Sequence, residues 1–312
     1  MIFTVTLNPA IDKTAIVDDF VLGGVNQLKG CIVDAGGKGV NVSKTLRVLN
    51  KPNMAIGFIG GSSGEQIRQE LQKKMIMSDF VTVQGETRCN LKVNSVFGMT
   101  EFNEPGPKIR PEEMAQLMVR LEQHAKPNHL FILSGSVPEG VSEDIYKQLI
   151  EMLHRKGCRV FLDTSGELLR IGMEAQPEYL KPNLRELLAL YHKQKTDFES
   201  DEALIEWVKE RAKELHRNGA RLVAVSLGEL GAVFTDGLDT IHAPAKDVPV
   251  LSPVGAGDAM TAAIAYGVDS ELPFREVVRY AMAVSAGACM TEGTKPPSKE
   301  DILKLLRQTE PY

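Results

Sequence analysis

The sequence predicts an α/β fold with a mainly parallel sheet and helices on both faces, and three observations predict it. Short apolar runs alternate with helix-length stretches along most of the 312 residues, the pattern left by strand–helix–strand crossovers. Polar residues recur just past those runs or in the segment after them: Asn8, Ser134, Asp163, Lys181, Ser226 and Asp258. In open parallel sheets ligands lie beyond the carboxyl ends of the strands, so this recurrence marks one edge as the working edge. Two segments, approximately 13–34 and 87–103, break the rhythm and are expected to form a small β-sheet lid on the α/β core.

In chain order, Phe3–Leu7 is a short apolar strand that ends at the Asn8-Pro9 turn, with Asp12 following. Lys13–Asp34 is strand-like, with Gly23-Gly24 as its turn. Val42–Leu49 is helical, Ala55–Ile59 a strand and Glu65–Met75 a helix. In Thr87–Asn103 the residues alternate: Cys89, Leu91 and Val93 face one way, Arg88, Asn90, Lys92 and Asn94 the other. A polar face carrying two cations is expected to cover a site, with the apolar face packed on something else. Helices at Glu112–His124, Glu143–Lys156, Asp201–Asn218 and Phe274–Met290 alternate with strands at His129–Leu133, Val160–Leu162, Leu222–Ser226 and Ala232–Thr235. The helix Thr261–Val268 is so rich in small and apolar residues that it is expected to be buried. No linker or repeat interrupts the chain, and residues 1–312 read as one domain.

Composition narrows the function. With 43% hydrophobic and 25% charged residues the chain can bury a large core. A net charge of −5 argues against nucleic acid as a partner, so any anionic ligand must be held by local cations and backbone amides. The first residues lack a basic, cleavable leader, and the apolar run Ala281–Met290 is too short to span a bilayer. Cys31, Cys89, Cys158 and Cys289 are scattered and are expected to be buried thiols in a reducing compartment. A cytoplasmic protein with no membrane partner is expected.

Four motifs carry chemistry. Pro253-Val-Gly-Ala-Gly-Asp258 is a glycine turn opening a buried helix. Its free N–H groups and positive dipole end suit a phosphate, and Gly255 and Gly257 let backbone approach it closely. Asp258 is placed either to cap that helix or to take a proton from an attacking hydroxyl. Gly36-Gly-Lys-Gly-Val-Asn41 is a second such loop, where Lys38 and Asn41 offer charge and hydrogen bonds; it is not a Walker A loop. Lys181-Pro-Asn-Leu-Arg-Glu186 sets Asn183 and Glu186 three apart at a helix start, a capping box or a pair able to hold Mg²⁺ through water. Ser226-Leu-Gly-Glu-Leu-Gly231 is a glycine hairpin that could lie against a nucleotide. Asp12 either bridges two sugar hydroxyls or caps the turn begun at Asn8-Pro9.

Together, in this order and spacing, these motifs resemble the PfkB/ribokinase family of carbohydrate kinases over the whole length. The resemblance implies a ribokinase-like three-layer αβα core and MgATP-dependent phosphoryl transfer. It implies Asp258 as catalytic base, with Gly255, Ala256, Gly257 and Asp258 forming the anion hole. Asp12, Gly36, Gly37, Asn41 and Asn90 are expected at the sugar. Lys181, Asn183, Ser226, Gly228, Gly231 and Gly257 are expected at ATP, and Asn183 and Glu186 near Mg²⁺. Thr6-Leu-Asn-Pro9, Gly85-Glu-Thr-Arg-Cys-Asn90, Ser134-Gly-Ser-Val-Pro138 and Asp163-Thr-Ser-Gly166 look most like the sugar-phosphate branch, 1-phosphofructokinases first and tagatose-6-phosphate kinases next. By that resemblance Arg88 and Lys38 hold the phosphate already on the sugar, and fructose 1-phosphate is the first substrate expected. Gln27 stands where relatives usually carry Arg, with Lys29 nearby. Relatives also imply a homodimer through the β lid, in keeping with the apolar face of Cys89, Leu91 and Val93.

Two other readings fit less of the chain. Gly60-Gly-Ser-Ser-Gly64 matches a nucleophile elbow with Ser62 as nucleophile, but leaves both glycine–acid motifs without a role. A non-catalytic sugar-phosphate sensor is opposed by the intact Asp258, Gly255, Gly257, Asn183 and Glu186.

Overall fold

The computed structural model describes residues 1–18 and 20–309. The main sheet is made by β1 (Ile2–Thr6), β4 (Asn53–Ile59), β5 (Met77–Thr82), β8 (Leu130–Ser134), β9 (Arg159–Asp163), β10 (Tyr179–Leu180), β11 (Leu222–Ser226), β12 (Ala232–Thr235) and β13 (Thr240–Ala243). A second sheet holds β2 (Ala10–Ile16), β3 (Gly30–Gly36), β6 (Arg88–Ser95) and β7 (Gly98–Phe102). The helices are α1 (Lys38–Val48), α2 (Gly61–Lys73), α3 (Pro111–His124), α4 (Ile145–Arg155), α5 (Gly166–Met173), α6 (Leu184–Leu190), α7 (Asp201–Arg217), α8 (Ala256–Asp269), α9 (Phe274–Cys289) and α10 (Lys299–Arg307).

The main sheet runs β13-β12-β11-β10-β9-β8-β1-β4-β5, parallel from β11 to β5, with β12 and β13 added antiparallel at one edge. Its central strands are apolar on both faces, as expected where helices cover both sides. In β8 the alternation sorts the layers. Phe131 and Leu133 join the core under α3, α4 and α7, whereas Leu130 and Ile132 join the core under α8 and α9. The fold is therefore ribokinase-like, three layers with a small separate sheet, as the sequence leads one to expect.

Elements that sequence patterning leaves unassigned have weak patterns for physical reasons. Strand β10 is two residues long, too short for any period to show. Strands β5 and β13 are edge or near-edge strands with mixed, partly exposed faces. Helices α5 and α10 are short, and α1, α2 and α8 each begin earlier than expected because their first turns are glycine-rich. Of the four cysteines only Cys158 is buried, while Cys31 is exposed, correcting the expectation of four buried thiols. Among the described residues no helix is long and apolar enough to cross a membrane.

The small sheet, ordered β3-β2-β6-β7, falls close to the expected segments but begins at Ala10 rather than Lys13 and ends its first half at Gly36. Residues 87–103 form a hairpin, β6 to β7, rather than one strand. The polar face is the buried one: Asn90 and Lys92 are covered, together with Asp12 and Thr14 of the neighbouring strand. On the other face Val33, Lys13, Leu91 and Phe102 lie in register across the four strands and are exposed.

The working edge is set by close backbone approach. A Cβ on Gly57 of β4 would sit 1.9 Å from the Thr6 carbonyl oxygen of β1, so no side chain fits between these strands at their carboxyl ends. Gly57→Ala is expected to destabilise the protein by about 1–3 kcal/mol, the scale of overpacking a tight core. The check is the urea midpoint at unchanged m-value.

Candidate active site

At the carboxyl ends of the central strands two buried charges, Asp163 after β9 and Lys181 after β10, lie close together. Asp163, the last residue of β9, is fully buried in its side chain. Lys38 Nζ, from the first turn of α1, donates to Asp163 Oδ1 at 2.8 Å. Thr261 Oγ1, from α8, donates to Asp163 Oδ2 at 2.7 Å, and Lys181 Nζ lies 3.7 Å from the same oxygen. Burial opposes ionisation of Asp163, but Lys181, Lys38 and Thr261 together hold its pKa below the ordinary value. Burial likewise opposes the Lys38 ammonium, and Asp163, Glu186 and Asp258 overcome it to raise its pKa.

Helix α8 starts at Gly255, whose φ of 85° is the left-handed conformation glycine adopts without strain. No side chain caps this helix, leaving the N–H groups of its first turn to face the cavity. Gly257 is 3.5 Å, measured from the position a Cβ would take, from Lys181 Nζ. A glycine turn, a helix N-terminus and a lysine thus converge as an anion site requires. Asp258 stands beside it, its Oδ2 accepting from Asn41 Nδ2 at 2.9 Å. Burial, then the charge of Asp163, pushes the Asp258 carboxyl up to about 6, against the opposing effects of Lys38, Asn41 and Lys181. Such a group is ionised at neutral pH and still basic enough to take a proton.

A second buried polar cluster is built by the small sheet. Asp12 Oδ1 accepts from Asn90 Nδ2 at 3.1 Å and its Oδ2 accepts from Lys92 Nζ at 3.0 Å, all three side chains being buried. A Cβ on Gly36 would meet Asp12 Oδ2 at 2.4 Å, and one on Gly39 would meet Thr6 Oγ1 at 2.3 Å. Glycine here therefore lets the first loop close onto these groups. Among the described residues Thr6 Oγ1, Asn8 Oδ1, Asn41 Oδ1, Asn90 Oδ1 and Ser134 Oγ are buried without a hydrogen-bond partner. Orphaned polar atoms are costly in a folded protein. A polyhydroxylated ligand meets that need.

On the other side of the glycine turn lies a cavity of about 1470 Å³ lined by Lys38, Lys181, Asn183, Ser226, Gly228, Gly231, Gly257 and Asp258, and walled beyond them by Leu188, Val248 and Met282. Its apolar wall and cationic mouth fit a nucleoside triphosphate. Ser226–Gly231 is the β11–β12 hairpin, tightened by a 3₁₀ turn at Gly228–Leu230.

Several expected residues are placed differently from their first reading. Asn183 and Glu186 form a full capping box on α6, Glu186 Oε2 accepting from Asn183 N and Asn183 Oδ1 accepting from Glu186 N, both at 2.8 Å. Glu186 Oε1 is left outside the capping box, 3.8 Å from Lys38 Nζ. Lys38 is committed to Asp163 and lines the nucleotide cavity, rather than standing apart on the sugar side. Arg88 spends its fork on main-chain carbonyls: Nε and Nη2 donate to Asn8 O, and Nη1 to Glu104 O. Gln27 lies in an exposed part of the lid, between β2 and β3. Ser62 gives no sign of a nucleophile elbow, because Glu86 accepts from the Ser62 and Ser63 N–H groups and from the Ser62 hydroxyl. Sequence reasoning noticed Asp163 and Lys92 but gave them no role. The signal for Asp163 was a carboxylate closing an otherwise apolar strand.

The model of the pfkB family carbohydrate kinases matches residues 5–301. A 1-phosphofructokinase of Bacillus subtilis is 32% identical over 306 residues, covering 98% of this chain and 97% of that one. A D-tagatose-1-phosphate kinase of Bacillus licheniformis is 33% identical over 301 residues, 96% of each chain. The crystal structure of Escherichia coli phosphofructokinase-2 in complex with substrates and products superposes with a TM-score of 0.90 at 29% identity, covering 98% of both chains.

The raised pKa of Asp258 has a consequence for stability. The group holds its proton more tightly folded than unfolded, so stability falls as pH rises from about 4 to about 6 and the loss persists above. Asp258→Asn is therefore expected to be more stable than the parent at pH 8, by up to about 3 kcal/mol at 1.36 kcal/mol per pKa unit. The gap should vanish at pH 4. Denaturant melts at both pH values check it, and an equal gap at both would remove the assigned cause.

Proposed function

The chain belongs to the pfkB family of carbohydrate kinases, and from that premise we propose that it transfers the γ-phosphoryl group of ATP to the free primary hydroxyl of a ketohexose 1-phosphate, acting over residues 1–312 as one kinase unit. Fructose 1-phosphate, giving the 1,6-bisphosphate, is the first substrate. The observation that carries this reading is Asp258, beside an uncapped glycine turn on one side and Asn41, whose own oxygen is orphaned, on the other. A base between an anion site and a hydroxyl site is what phosphoryl transfer to an alcohol needs.

The roles follow from the geometry. Asp12, Asn41 and Asn90 take the sugar hydroxyls. The Gly255–Asp258 amides, Lys181 and Lys38 stabilise the transferring group, where positioning and charge neutralisation do most of the catalysis. Asp258 accepts the hydroxyl proton as the oxygen–phosphorus bond forms and the bond to ADP breaks. Asn183, which lines the cavity, and Glu186 Oε1, 3.8 Å from Lys38 Nζ, are hard oxygen donors and suit Mg²⁺ held through its water shell. When bound, that ion supplies further charge neutralisation on the phosphates. Arg88 fixes the lid to the Asn8 and Glu104 carbonyls, and its remaining N–H donors are suited to the phosphate on the sugar.

A second substrate is favoured by a specific finding: the D-tagatose-1-phosphate kinase is as similar as the 1-phosphofructokinase. The two ketohexose phosphates differ only in configuration at C4. The protein is proposed to work in the cytoplasm, and as a homodimer joined through the exposed lid face of Val33, Leu91 and Phe102.

Kinetics and sedimentation test the reading. MgATP-dependent ADP release is expected to be fastest, per kcat/KM, with fructose 1-phosphate or tagatose 1-phosphate, and slower with fructose 6-phosphate, tagatose 6-phosphate and fructose. Rate should decline below about pH 6 as Asp258 protonates. Asp258→Asn should lower kcat by ~10²-fold or more, the scale of losing a general base; near-normal turnover in that variant would remove its catalytic role. Sedimentation should show a dimer that Leu91→Asp with Phe102→Asp converts to monomer, whereas a wild-type monomer at micromolar concentration would rule out lid-to-lid pairing.

A further inference from the structure

Lys44, one turn beyond Asn41 on α1, is a buried charged group that the reaction outlined above does not use. It is 3% exposed. Its Nζ donates to the Ala35 carbonyl at 2.7 Å and to the Thr294 carbonyl at 3.3 Å. These carbonyls belong to different halves of the site. Ala35 is the penultimate residue of β3, just before Gly36 packs against Asp12, and its own N–H is held by Glu70 Oε2 at 3.0 Å. Thr294 backs the other glycine turn: its Cα is 3.6 Å from the position a Cβ on Gly255 would take. Gly293, in the left-handed conformation at φ 63°, brings the same loop against the lid, where a Cβ would be 3.1 Å from Asp34 Oδ2.

An ammonium is an expensive way to fill a buried space, since a Met side chain of similar length would fill it without desolvating a charge. Burial lowers the Lys44 pKa, opposed by the fields of Asp34, Asp12 and Glu70. Its hydrogen bonds nonetheless go to two main-chain carbonyls. What a Met could not do is hold both carbonyls at once. The Gly255 end of α8 needs such holding, because no side chain caps it and an anion hole tolerates displacement poorly.

From this juxtaposition we infer that Lys44 is a positioning residue that clamps the sugar-side turn at Ala35–Gly37 to the 291–295 loop backing the phosphate-side turn at Gly255. Filling of the sugar site thereby steadies the anion hole before phosphoryl transfer. The inference rests on the kinase reading given above.

The test is hydrogen–deuterium exchange on the full chain with fructose 1-phosphate and no nucleotide, alongside kinetics of Lys44→Met. In the wild type the sugar phosphate should slow exchange both in β6, residues 88–94, and in residues 289–295. In Lys44→Met the protection of β6 should remain and that of 289–295 disappear. The kcat per folded enzyme should fall ~10- to 100-fold, the scale of a misplacement near 1 Å, with the KM for MgATP changed by less than about threefold. Protection of β6 without any change at 289–295 in the wild type would overturn the clamp and leave the kinase reading standing. So would a Lys44→Met protein that melts earlier but keeps both its kcat and its protection pattern. If Lys44→Met does not fold, the wild-type comparison alone decides. No protection at either segment together with no turnover would remove the kinase reading and this inference with it.

Discussion

The site depends on the buried negative charge of Asp163. A carboxylate at the end of a central strand, cut off from solvent, must be neutralised by what surrounds it. Its partners come from three separate elements: Lys38 opens α1, Lys181 follows β10 and Thr261 lies in α8. Satisfying one carboxylate thus brings both glycine loops and the nucleotide-side lysine to the same point. The same charge acts on the neighbouring base, since Asp163 follows burial as the cause of the raised Asp258 pKa. One group therefore gathers the cations and makes Asp258 more basic.

That arrangement carries strain between stability and function. Asp258 would be easier to bury as an amide. It remains a carboxylate at neutral pH because Lys38, Asn41 and Lys181 partly compensate it, and a base must be able to gain a proton. The orphaned oxygens of Thr6, Asn41, Asn90 and Ser134 tell the same story on the sugar side. Groups left without partners in the protein are groups arranged for a ligand, at a cost met elsewhere by the three-layer core.

The lid shows how one short sheet serves two surfaces. Alternation in β6 sends Asn90 and Lys92 inward to Asp12 and leaves Leu91 outward beside Phe102. The inner row lines the pocket proposed for the sugar. The outer row is exposed and apolar in three of the four strands, Val33, Leu91 and Phe102, with Lys13 of β2 as its one charged member. Because strand residues alternate strictly, a register slip by one residue would exchange the two roles.

Much was determined by the sequence alone. The alternation of apolar runs and helices sets the layers, because crossovers between parallel strands require it. The two glycine motifs mark where backbone must approach a ligand, since only glycine leaves the space. Asp258 and Asn41 were singled out for the same reason, each standing next to such a turn, and Asp12 for its place after the first strand and the Asn8-Pro9 turn. Tertiary structure alone decided the partnerships. Lys38 and Asp163 are 125 positions apart, and Lys44 and Thr294 are 250 apart, so no local period records either pairing. Nor could the sequence choose between its two readings of Asn183 and Glu186, which cap α6 while Glu186 Oε1 lies 3.8 Å from Lys38 Nζ. It also could not show that burial would raise Asp258 rather than the helix terminus simply keeping it ionised. Charge, burial and hydrogen bonding at a site are properties of the assembled neighbourhood, and only the folded chain assembles it.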